Sequence, residues 1–263
     1  MTGADPGQAA PPAAADGGAP DLLPFLPELI GGLSALERFP EPYVELLSSA
    51  GLAAGARVLD VACGKGAAAI ALAVKLGVEV DGVDPVEPFV AFAEAEARRR
   101  GLPCRFRPGE AAEALRAASG NPRDAVLCLG LGRTFGTLGE TVALLRTAVR
   151  PGGLILLEDG YLLQGVSGSL QDFDSYHERG ATLAALCAHG DLMVGEYLAR
   201  KEEVCAQNAR DLDGLKARAE ALAGRRPDLR GALNLWLGGQ AMQARLLEAT
   251  LQTAAWVLRR GAR

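Results

Sequence analysis

The sequence predicts an α/β protein: one doubly wound, mostly parallel sheet covered by helices on both faces. Three observations carry that expectation. Between residues 57 and 159, short apolar runs alternate with helical runs, the pattern of βαβ units. The short runs are apolar almost throughout, as strands covered on both faces are. The first of them ends in a glycine-rich turn that opens a helix.

The elements follow in order. Residues 1–20 are nearly all Ala, Gly and Pro, so they cannot offset the cost of ordering and read as a disordered tail. Order is expected from Asp21. Segment 22–36 is apolar but broken by Pro24, Pro27 and Gly31-Gly32, which predicts short helical pieces; a helix over 42–50 ends at Gly51. Arg57–Ala62 reads as the first strand and 67–76 as an Ala-rich helix. Val78–Val83 is the second strand, ending at Asp84, and 87–100 a helix stopped by Gly101. Cys104–Arg107 is a third strand, 110–118 a helix, Asp124–Leu129 a fourth strand and 138–149 a helix. Leu154–Leu157 is a fifth strand after the Pro151-Gly152-Gly153 turn. Beyond it, 160–176 reads as a loop because of Gly160, Gly165 and Gly168. A helix over 178–188 and a strand over Asp191–Ala199 follow, then helices over 201–224 and 228–248. Thr250–Arg259 fits a helix face and a strand equally well.

Apolar residues are 49% of the 263 and charged residues 22%, an ordinary globular balance. A net charge of −5 argues against nucleic acid held through phosphates and against a polybasic membrane anchor. No apolar stretch is long enough to span a bilayer, and the N-terminus lacks the features of a secretory signal, so a cytoplasmic location is expected. The five cysteines are scattered without a CxxC, as expected of packing thiols in a reducing compartment. Two histidines are too few for a histidine-rich metal site, and the adjacent Glu158 and Asp159 point to opposite sides of a strand. No metal is expected.

The chemistry concentrates in Val58-Leu59-Asp60-Val61-Ala62-Cys63-Gly64-Lys65-Gly66. Gly64 and Gly66 let the backbone approach a ligand closely beside the amides of a helix start. Asp84, closing the second strand, can accept both hydroxyls of a ribose. Gly64, Gly66 and Ala69 also satisfy the G-x-G-x-x-A dinucleotide pattern. Asp60 argues against that reading, because a carboxylate there repels a pyrophosphate but suits a ligand carrying an ammonium and a sulfonium. The spacing from the strand to the glycines and the Pro-Gly-Gly joint argue the same way. Lys65 is expected to point to solvent, and Cys63 to contribute its backbone.

Taken together, residues 58–159 resemble the class I S-adenosylmethionine-dependent methyltransferases. VLDVACGKG is similar to that family's first motif, with Asp60, Gly64 and Gly66 at matching positions. VEVDGVDP resembles the second, RPGEAAEAL at 107–115 the segment lying against adenine, DAVLCLGLGRTFG at 124–136 the fourth-strand motif, and LLRTAVRPGGLILLED at 144–159 the fifth. The resemblance implies a Rossmann-like, seven-stranded methyltransferase fold and S-adenosylmethionine as cofactor. Its contacts would come from Asp60, Ala62, Cys63, Gly64, Gly66, Asp84, Pro85, Gly109, Glu110, Leu129 and Gly130. It also implies that Asp191–Ala199 and Thr250–Arg259 are the antiparallel sixth and seventh strands, with 201–248 an enlarged helical insertion. Residues 21–263 then make one methyltransferase domain, with a cofactor core over 52–160 and helical substrate-side elements over 21–50 and 160–248.

Methyl transfer is an in-line displacement at an activated carbon, so the protein's main task is to align the acceptor and exclude water. A small-molecule acceptor is expected. Phe39, Tyr43, Phe135, Tyr161 and Trp236 are candidate walls, Arg133 and Thr134 candidate pocket residues, and His177, Tyr161 and Asp159 the candidates for a catalytic group. His189, at a helix end, reads as structural. Two other readings stay open: a cofactor-binding module without turnover, and an NAD(P)-dependent oxidoreductase.

Overall fold

The computed structural model describes residues 21–30, 40–165 and 176–262; the tail expected over 1–20 and the wall candidate Phe39 lie outside the described residues. A seven-stranded sheet runs in the order β3-β2-β1-β4-β5-β7-β6. Its strands are β1 (Arg57–Val61), β2 (Glu79–Asp84), β3 (Cys104–Pro108), β4 (Arg123–Cys128), β5 (Val149–Leu162), β6 (Leu192–Leu198) and β7 (Leu251–Arg259). The first five are parallel and β7 is antiparallel to both β5 and β6. Chain order reverses between β1 and β4, the switch point at which such sheets open a crevice at their carboxyl edge.

The helices are α1 (Leu26–Ile30), α2 (Pro40–Ser49), α3 (Ala67–Leu76), α4 (Glu87–Arg100), α5 (Ala111–Ala118), α6 (Leu138–Ala148), α7 (Arg179–Leu186), α8 (Lys201–Arg225) and α9 (Arg230–Thr250). One core joins α2, α3 and α4 to the face presenting Val58, Leu127 and Leu156. The other joins α5, α6 and α7 to the face presenting Leu59, Val126, Leu157 and Trp256. Successive strand residues alternate between these faces, which explains the continuous apolar runs. α8 and α9 lie between β6 and β7 in the chain. They pack on one another and on α1 through a third cluster of Leu29, Ala219, Leu222, Ala223, Leu229 and Leu233.

Three boundaries correct the sequence reading. β5 is not confined to Leu154–Leu157 but continues through Gly160 to Leu162, where a loop was expected. Gly160 is there for proximity: a Cβ on it would stand 2.9 Å from the Gln252 carbonyl oxygen of β7. The ambiguous segment is strand β7, paired along its whole length with residues 154–162 of β5. A partner strand, not local propensity, decides the choice. Finally, Pro227–Leu229 is a 3₁₀ turn and α9 starts only at Arg230.

Phe106 of β3 is buried under the turn after β1. A Cβ on Gly82 would lie 2.3 Å from its ring, and one on Gly66 2.8 Å. Gly82→Ala is therefore expected to destabilise the protein by about 1–3 kcal/mol through overpacking. Phe106→Leu should recover part of that loss in the double variant. Denaturant unfolding of the four proteins of this cycle measures it; additive losses would contradict the contact.

Candidate functional site

The carboxyl ends of β1, β2, β3 and β4 share one edge, and the predicted cofactor residues collect there. After β1 the chain turns through three successive left-handed positions: Ala62 at φ 58°, Gly64 at 53° and Gly66 at 79°. Gly66 caps α3 without a side chain, so the first amides of α3 face the turn. Cys63 donates its N–H to Val83 (3.0 Å), which locks the turn onto β2. Its thiol is buried, and burial with the charges of Asp60 and Asp84 pushes it far above the ordinary range. It stays protonated and is no nucleophile.

Asp84 accepts the Gly64 N–H on Oδ2 and the Val86 N–H on Oδ1, both at 2.9 Å. A carboxylate has about four acceptor positions, so two such bonds orient it and leave capacity for a ligand. Burial raises its pKa, and the two N–H bonds oppose the rise. Gly109 donates to the Asp84 carbonyl (3.2 Å), bringing the end of β3 alongside. Pro85 and Glu110 are exposed on the same edge, Glu110 at the start of α5. Leu129 is half-buried, and Gly130 turns left-handed at φ 67°.

Asp60 is 2% exposed, and its Oδ1 has no hydrogen-bond partner. Burial, reinforced by the nearby Asp84, pushes its pKa up to about 8. Such an acceptor calls for a cation or a strong donor. The nearest cation in the turn does not supply it. Lys65, expected in solvent, lies 5.7 Å from the ring centroids of both Phe89 and Phe92.

A second group of polar residues stands beyond β4 and β5. Arg133, in the loop after β4, holds Nε 3.3 Å from Asp159 Oδ2; the two side chains are 12% and 3% exposed. The guanidinium stacks on the Tyr176 ring, 4.6 Å from its centroid. The Tyr176 hydroxyl bonds both partners, and burial first, then Asp159, raises it to about 12. Burial raises Asp159 as well, opposed by Arg133, the Gly160 N–H and Tyr176. Sequence reasoning did not single out Tyr176: an aromatic before a helix start carries no periodic signal.

The other candidates separate. His177 is exposed, and its carbonyl accepts from the Leu162 N–H and the Thr182 hydroxyl. Tyr161 is buried in the core under α5, α6 and α7, with its hydroxyl on Arg179, so it is a packing residue and not an open wall. Tyr43 is likewise core, bonded to Glu158. Trp236 packs on the α1–α8–α9 cluster. Phe135 is half-buried against the α5–α7 face, and Thr134 bonds the Leu131 carbonyl at 2.6 Å. His189 Nε2 lies 2.9 Å from the Gly139 carbonyl oxygen, which fits its structural reading. Among the described residues, no cluster of three or more His, Cys, Asp or Glu side chains could hold a metal ion. Among the same residues, no helix is long and apolar enough to cross a membrane.

Two measurable consequences follow from this geometry. Ala62 is the only non-glycine at positive φ among the described residues, a conformation costing an L-residue about 1–2 kcal/mol. Ala62→Gly should therefore stabilise the fold by up to about 1 kcal/mol, seen as a melting temperature a few degrees higher. Asp60 gives a pH signature. Folded, it keeps a proton that the unfolded chain loses near pH 3.8, up to about 8. The folded state thus binds more protons in that window, and its stability falls as pH rises through it. Asp60→Asn should flatten the unfolding free energy between pH 5 and 8 relative to the parent; identical slopes would refute the assignment.

Comparison with known proteins gives the same picture. Residues 58–153 match a family model described as a methyltransferase domain. A ubiquinone biosynthesis O-methyltransferase of Methylobacterium sp. (strain 4-46) is 35% identical over 101 residues, covering 38% of this chain and 39% of that protein. The match thus spans about two fifths of that relative's length. Two S-adenosyl-L-homocysteine complexes of SAM-dependent methyltransferases share the fold. The one from Geobacter sulfurreducens has a TM-score of 0.72 at 20% identity, covering 89% of this chain and 98% of that one. The one from Thiobacillus denitrificans has a TM-score of 0.73 at 19% identity, covering 90% and 98%. With a motif-bearing turn, an orphaned buried carboxylate and the strand order already in place, residues 58–153 belong to the class I S-adenosylmethionine-dependent methyltransferases.

Proposed function

We propose that the chain transfers a methyl group from S-adenosylmethionine to a small-molecule acceptor. The observation carrying this reading is Asp60: a buried carboxylate with an unbonded oxygen, next to a second carboxylate and beside a helix start. That set suits a ligand with a cationic amino acid end and a ribose. S-Adenosylmethionine, when bound, supplies an activated methyl on a sulfonium.

Asp60 would take the ammonium end, the turn Ala62–Gly66 would supply backbone contact, and Asp84 would take the ribose hydroxyls. Pro85, Gly109, Glu110, Leu129 and Gly130 would form the adenine and donor-side walls. The net charge of −5 supports a small acceptor over nucleic acid, as does the likeness to a ubiquinone biosynthesis O-methyltransferase. The chain's sheet core supplies the donor side, and the loops after β4 and β5 face the acceptor side.

Titration calorimetry with S-adenosylmethionine tests the donor side. Binding should release a proton at pH 7, because a cation at Asp60 lowers a pKa that stands near 8 in the free protein. The apparent enthalpy should therefore change with the ionisation enthalpy of the buffer. Asp60→Asn should abolish that dependence, and Asp84→Ala should weaken binding by about 1–3 kcal/mol. No heat and no thermal shift at millimolar cofactor would refute the reading.

A further inference from the structure

We propose that the outer face of α9 is a self-association surface, on which a second copy of this chain packs its α9 antiparallel to the first about a two-fold axis. The inference concerns the helical unit and does not depend on the methyltransferase reading above.

α9 uses one face for its own chain, where Leu233, Trp236 and Leu237 pack into the cluster with α8 and α1. A different face carries Gly231, Leu235, Gly238, Met242, Arg245 and Ala249, spaced alternately four and three residues apart, and all six are exposed. That is the spacing of a seam along which one helix meets another. Leu235 is 75% and Met242 71% exposed, more than any other large apolar side chain among the described residues. Gly238 and Gly239 lie midway between them. After proline, glycine is the residue least suited to a helix interior. No neighbour in the chain requires it here, since a Cβ on either would meet nothing within 4 Å. The glycine pair does leave room for a second backbone to come close. Beside the seam, a groove of about 370 Å³ runs between α8 and α9, with Ala219, Ala223, Gly238 and Ala241 in its lining. Projecting side chains and a groove thus share one side of the hairpin.

These features fit a copy of themselves. A two-fold axis through the glycine pair sets Leu235 of each copy against Met242 of the other, because the two lie equally far from it. Charge matches in the same register. α8 runs antiparallel beside α9: Asn208 bonds Glu248 near one end of the pair, and Ala223 and Arg230 line the groove together near the other. An α9 laid antiparallel on the first therefore runs parallel to α8, and it brings its Arg245 within a turn of Glu220 on the groove rim. Both side chains are exposed, and symmetry makes the pair twice. Arg225, near the same end of α8, is paired with Glu28 instead.

The face is large enough. α9 has 21 residues, about 31 Å of helix. The hairpin is two helices wide, about 20 Å. The resulting area, about 600 Å² per copy, reaches the lower end of specific, stable interfaces.

Sedimentation equilibrium of the full chain from about 1 to 100 μM, the range suited to an interface of this size, tests the proposal. A reversible monomer–dimer equilibrium is expected. Leu235→Glu and Met242→Glu should each raise the dissociation constant about a hundredfold or more, since each substitution counts twice in a two-fold contact. Glu220→Arg and Arg245→Glu should each weaken association about tenfold, and the double variant should return to the parent's value. The glycines give a signature that no role within the chain would produce. Gly238→Ala with Gly239→Ala should raise the melting temperature of the dilute monomer, because alanine favours the helix, and weaken the dimer at the same time. Circular dichroism checks that each variant folds; should Leu235→Glu or Met242→Glu not fold, the charge exchange still decides. A monomer over the whole range would overturn the proposal. So would a dimer indifferent to Leu235→Glu and Met242→Glu, as one formed through the β6 edge would be, or losses in the two charge variants that add in the double.

Discussion

Burying a carboxylate costs several kcal/mol unless a partner offsets it, and Asp60 sits at the end of β1 with one oxygen unbonded. The fold adds to that cost by setting Asp84 on the adjoining strand, where its charge raises Asp60 further. It also withholds the obvious remedy. Lys65, between the two glycines of the turn, is drawn over Phe89 and Phe92 instead of reaching back to the carboxylates. The amides at the start of α3 offer partial positive charge beside the turn. The site is thereby kept short of positive charge. The protein thus carries a loss of stability at one strand end.

That arrangement demands close backbone approach, and the packing below the turn supplies it. Phe106 fills the space that a side chain at Gly82 or Gly66 would need. The aromatic ring thus supports the turn from β3, while Asp84 fixes it from β2 through the Gly64 N–H. Ala62 shows how strong the demand is. The turn needs a left-handed residue directly after β1, and the chain meets that need with an alanine, at an energetic cost, because its neighbours on both sides are already fixed.

The turn after β1 and its two carboxylates were legible in the sequence because their signals are local. A strand, a glycine turn and a helix start within ten residues identify Asp60, Gly64 and Gly66, and Asp84 follows from the end of the next strand. The order of β1 to β5 was equally plain, since each is a continuous apolar run. Signals that depend on a distant partner were not legible. Gly160 reads as a loop glycine until the Gln252 carbonyl is seen lying against it, and β7 has no character of its own until β5 and β6 flank it. Tyr43 and Tyr161 looked like pocket walls because an aromatic does not reveal which face of an element it occupies; both are core. Arg133, Asp159 and Tyr176 come from three segments, and only the fold shows that they meet.

The helices between β6 and β7 obey a different constraint. Their apolar stripes, legible as such, pack on one another and on α1, near the opposite end of the chain. Arg218 donates to the Leu29 carbonyl, and Arg225 pairs with Glu28. Asn208 bonds Glu248 at 2.8 Å, tying α8 to α9 close to where both join the sheet. The cluster holding this unit together is distinct from the two sheet cores. Substitutions in Leu222 or Leu233 therefore act on a different set of contacts from those that hold Asp60 and Asp84. Asp60 and Asp84 stand on strand ends joined by a turn between the two sheet cores, whereas Leu222 and Leu233 belong to the third cluster.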